Sequence, residues 1–361
     1  MARLSEIFDL QMGKTPARAN SDYWVDGTNN WVSISDLSGY EKYVEGTKEQ
    51  ITDKAVQESG IKAVPPNTVI MSFKLSLGKT AITQEAVYTN EAIMAFIPNG
   101  CYNISPDYFF YMLSGKEWSK GTNRAVMGVT LNKATLGEID VTVPTIQEQQ
   151  YIASTLDKLS NLISLRKQQL AKLDELVKAR FVEMFGEPVC NSKKLPTERG
   201  ENFFKLSNGK FVPESRRFEV GIPAYGGNGI SWYTDDAIMK RDTLVVGRVG
   251  FQSGNVHYAK GPLWITDNAM YISDYNTKKF DLFFLYSLME HIDFTRFQDA
   301  GDLKKITQKP FMNMEYIMPP MPLQREYVAF AEQTDKSKLT IQQSLDKLEV
   351  LKKSLMQEYF G

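Results

Sequence analysis

The chain has 361 residues, with 42 lysines and arginines against 43 aspartates and glutamates, a formal net charge of −1. Near-neutrality excludes a uniformly basic, histone-like nucleic-acid binder, and 42% apolar with 12% aromatic residues is globular composition rather than disorder. No run approaches 18 consecutive apolar residues, Met1–Glu6 carries an early acid and no signal-peptide core, and Cys101 and Cys190 form no CxxC pair, so a cytoplasmic protein without a membrane span, disulfide framework or thiolate zinc site is expected.

In chain order, residues 1–143 read as a mixed domain. The strand-like run Asn67–Phe73 is bounded by turn residues, and Tyr108–Leu113 is an aromatic-rich helical stretch. Residues 144–186 read as one long helix. Between Gln149 and Phe185 there is no proline or glycine, and Leu156, Leu159, Ile163, Leu170, Leu173, Val177 and Met184 recur three, four or seven apart. Such a helix spans roughly 55 Å at 1.5 Å per residue, and its apolar stripe needs a partner. Residues 187–320 form a second mixed domain, with a strand-like Asp242–Arg248 and a helical Phe283–Met289. Residues 321–361 form a second helix whose stripe is Ile341, Leu345, Leu348 and Leu355, with Leu351 alongside.

The second half repeats the first. At an offset of 175 residues, Leu170–Leu176 recurs as Leu345–Leu351 and Phe185-Gly186 as Phe360-Gly361, while Gln149 pairs with Gln324, Gln168 with Gln343, Lys178 with Lys353 and Glu183 with Glu358. Each helix follows a proline-marked segment, Val143-Pro144-Thr145-Ile146 or Pro319-Pro320-Met321-Pro322. Between the domains, Ser76–Lys79 and Thr89–Ile93 echo Gly250–Asn255 and Thr266–Met270. The expectation is an α+β architecture, two mixed globular domains separated by two long antiparallel coiled-coil helices in a pseudo-two-fold duplication. The alternative is two separate surface helices, each lying on its own domain.

Catalytic motifs are poorly supported. His257 and His291 lie 34 residues apart with no ligand-spaced partner and read as ordinary surface or half-buried histidines. Gly13-Lys14-Thr15 and Gly78-Lys79-Thr80 end like a phosphate-binding loop, but Phe8 and Phe73 stand where its first glycine is required. No glutamate is followed two residues later by lysine, as a restriction-type nuclease site needs. No Asn-Pro-Pro-aromatic segment is present to act on a flipped adenine.

Across essentially its whole length the chain resembles the specificity subunit of a type I restriction–modification system. The resemblance rests on Leu4-Ser5-Glu6-Ile7, Gly13-Lys14-Thr15-Pro16, Trp31–Leu37, Pro223–Ile230, Val246–Gly250 and Trp264–Ala269, with a Pro-x-x-x-x-Gln type segment starting each helix. The pattern departs at Leu323, where an acid usually precedes the glutamine. The resemblance implies two target-recognition domains, 1–143 and 187–320, each reading half of a split double-stranded DNA sequence. The spacer helices, 144–186 and 321–361, would set the unspecified gap and dock two methyltransferase (modification) subunits, optionally joined by translocase–nuclease (restriction) subunits. It implies no catalytic site, metal or cofactor in this chain: S-adenosylmethionine belongs to the methyltransferase partners of an adenine-N6 modifying complex, and ATP and magnesium to the nuclease partners. The alternatives are a self-contained methyltransferase or nuclease, and a coiled-coil protein-binding scaffold.

Phosphate contacts call for lysine and arginine, and base edges for arginine, asparagine and glutamine. The candidates in the first domain are Lys14, Arg18, Lys74, Lys79, Asn123, Arg124, Asn132 and Lys133. In the second they are Lys210, Arg216, Arg217, Tyr225, Asn228, Arg248, Lys304, Lys305 and Lys309. Tyr225 and Trp264 read more as packing residues than as base-stacking ones. No segment carries more than one net positive charge. Residues 187–320, for example, hold 17 basic and 16 acidic side chains, so DNA binding would rest on local patches and on partners.

Overall fold

A computed structural model describes residues 1–74, 76–116, 118 and 131–361. The chain divides into two compact units, Met1–Lys167 with Gln343–Gly361, and Gln168–Gln342. Each long helix therefore contributes residues to both.

In the first unit the strands are β1 (Ala2–Arg3), β2 (Phe8–Met12), β3 (Asn29–Val32), β4 (Glu49–Ile51), β5 (Val69–Ser72), β6 (Thr80–Ile82), β7 (Tyr88–Thr89), β8 (Ile93–Pro98) and β9 (Asp140–Val141). The helices are α1 (Leu4–Ile7), α2 (Ile34–Gly39), α3 (Asp53–Ser59), α4 (Pro106–Gly115), α5 (Lys133–Gly137) and the first part of α6 (Ile146–Phe185). Strands β2-β8-β5-β6 make an antiparallel sheet, and β4-β3-β7 make a second one in which β3 runs parallel to β7. Strand β5 is buried throughout, and its alternation sorts the core. Val69 and Met71 join one cluster with Met94, Phe96 and the α4 aromatics, while Ile70 joins another with Ile93 and Ala95.

The second unit repeats this topology. Its strands are β10 (Thr197–Arg199), β11 (Phe204–Asn208), β12 (Ile222–Gly226), β13 (Gly229–Thr234), β14 (Thr243–Gly247), β15 (Val256–Ala259), β16 (Trp264–Ile265), β17 (Ala269–Tyr275) and β18 (Glu315–Ile317). Helices α7 (Leu282–Glu290) and α8 (Lys309–Asn313) precede α9 (Met321–Phe360). The sheets run β11-β17-β14-β15 and β13-β12-β16, again with one parallel pair, β12 with β16. Leu244 and Val246 face the cluster that holds Phe284 and Phe311, and Val245 faces the smaller one with Leu263 and Ile265. The duplication read from the helices thus extends to the sheets of both domains.

A buried glutamine ties down both helix starts in the same way. Gln149 is fully buried; its Oε1 accepts from Ser105 N at 2.8 Å, and its Nε2 donates to Asn103 O and Pro144 O at 3.0 Å each. Gln324, equally buried, accepts from Asp281 N at 2.9 Å and donates to Lys279 O at 2.9 Å and Pro319 O at 2.8 Å. The start of α6 adds a capping box between Thr145 and Glu148, with Thr145 N donating to Glu148 Oε2 at 3.0 Å. At the same place α9 has Leu323, 40% exposed. The second start lacks the acid and keeps the glutamine.

In each unit the two long helices lie side by side. In the first, Lys167 pairs with Glu349 at 3.1 Å, and Leu355, Met356, Tyr359 and Phe360 pack on the core that contains Ala153 and Leu156. In the second, Asp174 pairs with Lys338 at 2.5 Å and Arg180 with Glu326 at 2.9 Å, ascending numbers against descending ones and hence antiparallel. Phe181 and Phe185 meet Tyr327 edge-on at 5.4 and 5.8 Å. Of the stripe residues, Leu156, Leu159 and Leu345 are buried, and Ile163, Leu170, Leu173, Val177, Ile341, Leu348 and Leu355 are half-buried. Leu351 is 47% exposed and stands outside the stripe. Among the described residues, no helix is long and apolar enough to cross a membrane.

Candidate nucleic-acid interface

Lys14 and Lys210 occupy matching places. Each follows the last residues of its first sheet strand, and each backbone N–H is held at 2.8 Å, by Thr89 O and by Ile265 O respectively. A Cβ on Gly13 would run into the carbonyls of Thr89 and Asn90, and one on Gly209 into those of Ile265 and Thr266, so only glycine lets the chain approach so closely. The lysine carbonyl is then clamped by an indole. Trp31 Nε1 donates to Lys14 O at 3.1 Å and Trp264 Nε1 to Lys210 O at 2.9 Å. The indoles come from different strands, β3 in the first unit and β16 in the second. The two lysine N–H bonds set Thr89 opposite Ile265, one residue off the register the sequence echo suggests.

Three of the candidate arginines are already engaged. Arg18 makes a two-pronged ion pair with Glu49, one prong at 2.9 Å, and lies over Trp24 at 3.8 Å and Trp31 at 4.7 Å. Arg216 pairs with Asp235 at 2.6 Å and Asp236 at 3.4 Å and lies 5.7 Å from the Trp264 ring. Arg217 donates twice to Val212 O, at 3.1 and 2.9 Å, and covers Trp232 at 4.3 Å. These guanidiniums brace aromatic platforms instead of standing free toward a phosphate, because each sits where a carboxylate or carbonyl can reach it and an indole face lies below. Tyr225 is likewise a wall residue, half-buried against Val245, Leu263 and Ile265.

The remaining candidates vary. Lys14 Nζ donates to Ser59 O at the end of α3. Lys74 is half-buried beside its neighbour Phe73, at 5.2 Å from the ring. Asn132 caps α5, its Oδ1 accepting from Thr135 N at 2.8 Å, with Lys133 exposed next to it. Asn123 and Arg124 lie outside the described residues. Among the described residues, no carboxylate lies within 4.0 Å of the head groups of Lys79, Lys210, Arg248, Lys305 or Lys309.

In the second unit the fold gathers several of these on one rim. The Gly226–Gly229 turn, which exposes Asn228, lies against the end of β14, where a Cβ on Gly227 would stand 3.3 Å from Val249 O. Arg248 N donates to Asn268 O at 2.9 Å and its carbonyl accepts from Ile306 N at 3.0 Å, while Gly250 N donates to Lys304 O at 2.8 Å. Asn228, Arg248, Lys304 and Lys305 therefore share one loop cluster, whereas Lys309 starts α8 beside an open cavity of about 430 Å³ lined also by Phe297, Thr307 and Asn313. Phe251, absent from the sequence-derived candidates, stands on that rim with 91% of its surface exposed.

The histidines have ordinary packing roles. Burial pushes the His257 imidazole toward its neutral form, and its Nε2 has no hydrogen-bond partner among the described residues. His291 stacks on Phe181 at 4.3 Å. Among the described residues, no group of three acidic, histidine or cysteine side chains is placed to hold a metal ion.

The model of the type I restriction modification DNA specificity domain matches residues 1–175 and again 201–352. The chain belongs to this family. The specificity subunit of the type I restriction enzyme MjaIX from Methanocaldococcus jannaschii is 28% identical over 187 residues, 51% of this chain and 43% of that protein. The EcoprrI specificity subunit of Escherichia coli is 23% identical over 292 residues, 75% of this chain and 71% of its own length. The chain thus spans less than half the length of the first of these relatives. Among solved structures, the S subunit of a type I restriction–modification system from M. genitalium aligns with a TM-score of 0.61 at 16% identity, covering 99% of this chain and 95% of its own. A chain from structural work on complex assembly and conformational transition of the type I R-M system gives 0.65 at 15% identity, covering 99% and 96%. These likenesses describe the fold of a specificity-domain protein built twice over.

Proposed function

We propose that this chain is the DNA-sequence specificity subunit of a type I restriction–modification complex, a non-catalytic reader acting in the cytoplasm. One observation carries the reading. The two units share strand order and the buried glutamine at the helix start, yet present different loops and different cations at the surface. A duplicated frame with divergent tips suits a protein that reads two unlike half-sites. On this reading residues 1–143 and 187–320 are the recognition domains, and 144–186 and 321–361 are spacers that set the gap and dock two adenine-N6 methyltransferase subunits. A translocase–nuclease joins where one is encoded. S-adenosylmethionine, ATP and magnesium are held by the partners.

Within this reading Lys79, Lys210, Arg248, Lys305 and Lys309 take phosphates, Asn228 faces bases, and the engaged Arg18, Arg216 and Arg217 shape the surface. Phosphate contacts supply affinity, and base edges supply the sequence. Purified chain, with and without co-expressed methyltransferase subunits, is titrated with duplex DNA at several salt concentrations. The reading expects weak, poorly specific binding by the chain alone and tight, specific binding by the complex. Tight specific binding without any partner, or none with it, contradicts it.

A further inference from the structure

The loop between β14 and β15 and the loop between β5 and β6 stand on one frame. In the first unit Phe73 N donates to Ala92 O at 3.0 Å, Leu131 N donates to Phe73 O at 3.3 Å, and Gly78 N returns to Ser72 O at 2.9 Å. In the second, Arg248 N donates to Asn268 O at 2.9 Å, Ile306 N to Arg248 O at 3.0 Å, and Gly254 N to Gly247 O at 2.8 Å. Between these fixed points the sequences part. Residues 73–77 begin Phe73-Lys74, whereas 248–253 read Arg248-Val249-Gly250-Phe251-Gln252-Ser253 and are one residue longer.

The second loop is firmly built. Gly250 and Gly254 take φ of 92° and 100°, Ser253 is fully buried, Ser253 N donates to Gly250 O at 3.0 Å, and Gln298 Nε2 donates to Ser253 O at 2.7 Å. At the tip of this rigid frame Phe251 is left 91% exposed. Beside it Arg248, Lys304 and Lys305 supply positive charge, against Asp299, whose carboxylate is bonded to Lys305 N at 2.9 Å, and Asp302. Asn228 projects from the adjoining turn. An apolar side chain beside three cations, which outnumber the two neighbouring carboxylates, and an amide matches a polyanion that carries an apolar spot. On the edge of a DNA base in the major groove, that spot is the C5-methyl of thymine.

We propose that Phe251 is the apolar base contact of the second unit, its ring seated against a thymine methyl while the flanking cations take the neighbouring phosphates. The proposal rests on the DNA-specificity reading and adds a residue and a base chemistry to it. The test uses the complex of the chain with its methyltransferase subunits and duplexes carrying its mapped target. Each thymine of the second half-site is replaced in turn by uracil, which removes only the methyl group. For the unaltered complex one replacement costs about 5- to 50-fold in Kd, within the range of a single specific base contact. For Phe251→Ala the same replacement costs nothing, Phe251→Leu keeps part of the effect, and replacements in the first half-site act equally on all three. Tm is unchanged in both variants, because the ring is exposed. Uracil effects that are the same with and without the ring, or a second half-site lacking thymine, overturn the proposal while leaving the specificity reading standing. Failure of the unaltered complex to bind its target overturns both.

Discussion

Gln149 and Gln324 make the same three hydrogen bonds, each inside its own unit: one accepted from the backbone N–H at the start of a core helix, one donated to a carbonyl two residues before that N–H, and one donated to the proline carbonyl that precedes the long helix. A buried amide that satisfies three backbone groups is worth more than its net bonds suggest, because deleting it leaves all three without partners. Gln149→Ala and Gln324→Ala should each destabilise the unit they sit in by about 2–4 kcal/mol. Denaturant unfolding checks this. The two losses should add in the double variant, since the residues share no partner.

Acid should weaken the second unit before the first. Burial lowers the affinity of His257 for a proton in the folded chain, while in the unfolded chain it titrates near the ordinary value of about 6.5. The unfolded state therefore binds more protons as pH falls through that value, and stability drops. Unfolding free energy measured from pH 7.5 to 5.5 should decline, and His257→Gln should flatten that slope. An unchanged slope would remove the histidine from the explanation.

The cations should separate into two classes. Lys210→Gln and Lys305→Gln should weaken binding by the assembled complex alike on target and non-target DNA, and each should lower the salt slope by about one, as removal of a single phosphate-binding charge does. Arg216→Ala with Arg217→Ala should also weaken binding, but with a drop in Tm, since Trp232 and Trp264 lose their cover and Asp235 its partner. Binding and melting with no change in either would contradict both assignments.

The architecture was largely legible in the sequence because its signals are local or periodic. A long amphipathic stretch without proline or glycine favours a helix wherever it lies, and a repeat of 175 residues brings Gln149 and Gln324 into correspondence without any knowledge of what they touch. The interface was far less legible. Arg18 and Glu49 are 31 residues apart and Arg216 and Asp235 are 19 apart, so their pairing is decided by strand packing that composition does not encode. The echo of Thr89 in Thr266 is one residue out, because the backbone bonds that set Thr89 opposite Ile265 leave no mark on residue type, and the indole clamp comes from a different strand in each unit. Phe251 passed as one aromatic among many, although glycines at 250 and 254 mark a tight loop with a side chain at its tip.

The central claim is that the two units read two half-sites with a gap set by the helices. It is tested most directly by mapping methylated positions in a genome that expresses the complex, with the unaltered chain and with one helical turn added after both Gln168 and Gln343. A split, asymmetric, adenine-methylated sequence is expected, with both half-sites kept and the gap lengthened in the extended chain. A continuous methylated sequence, or an unchanged gap in an extended chain that still methylates, would contradict it.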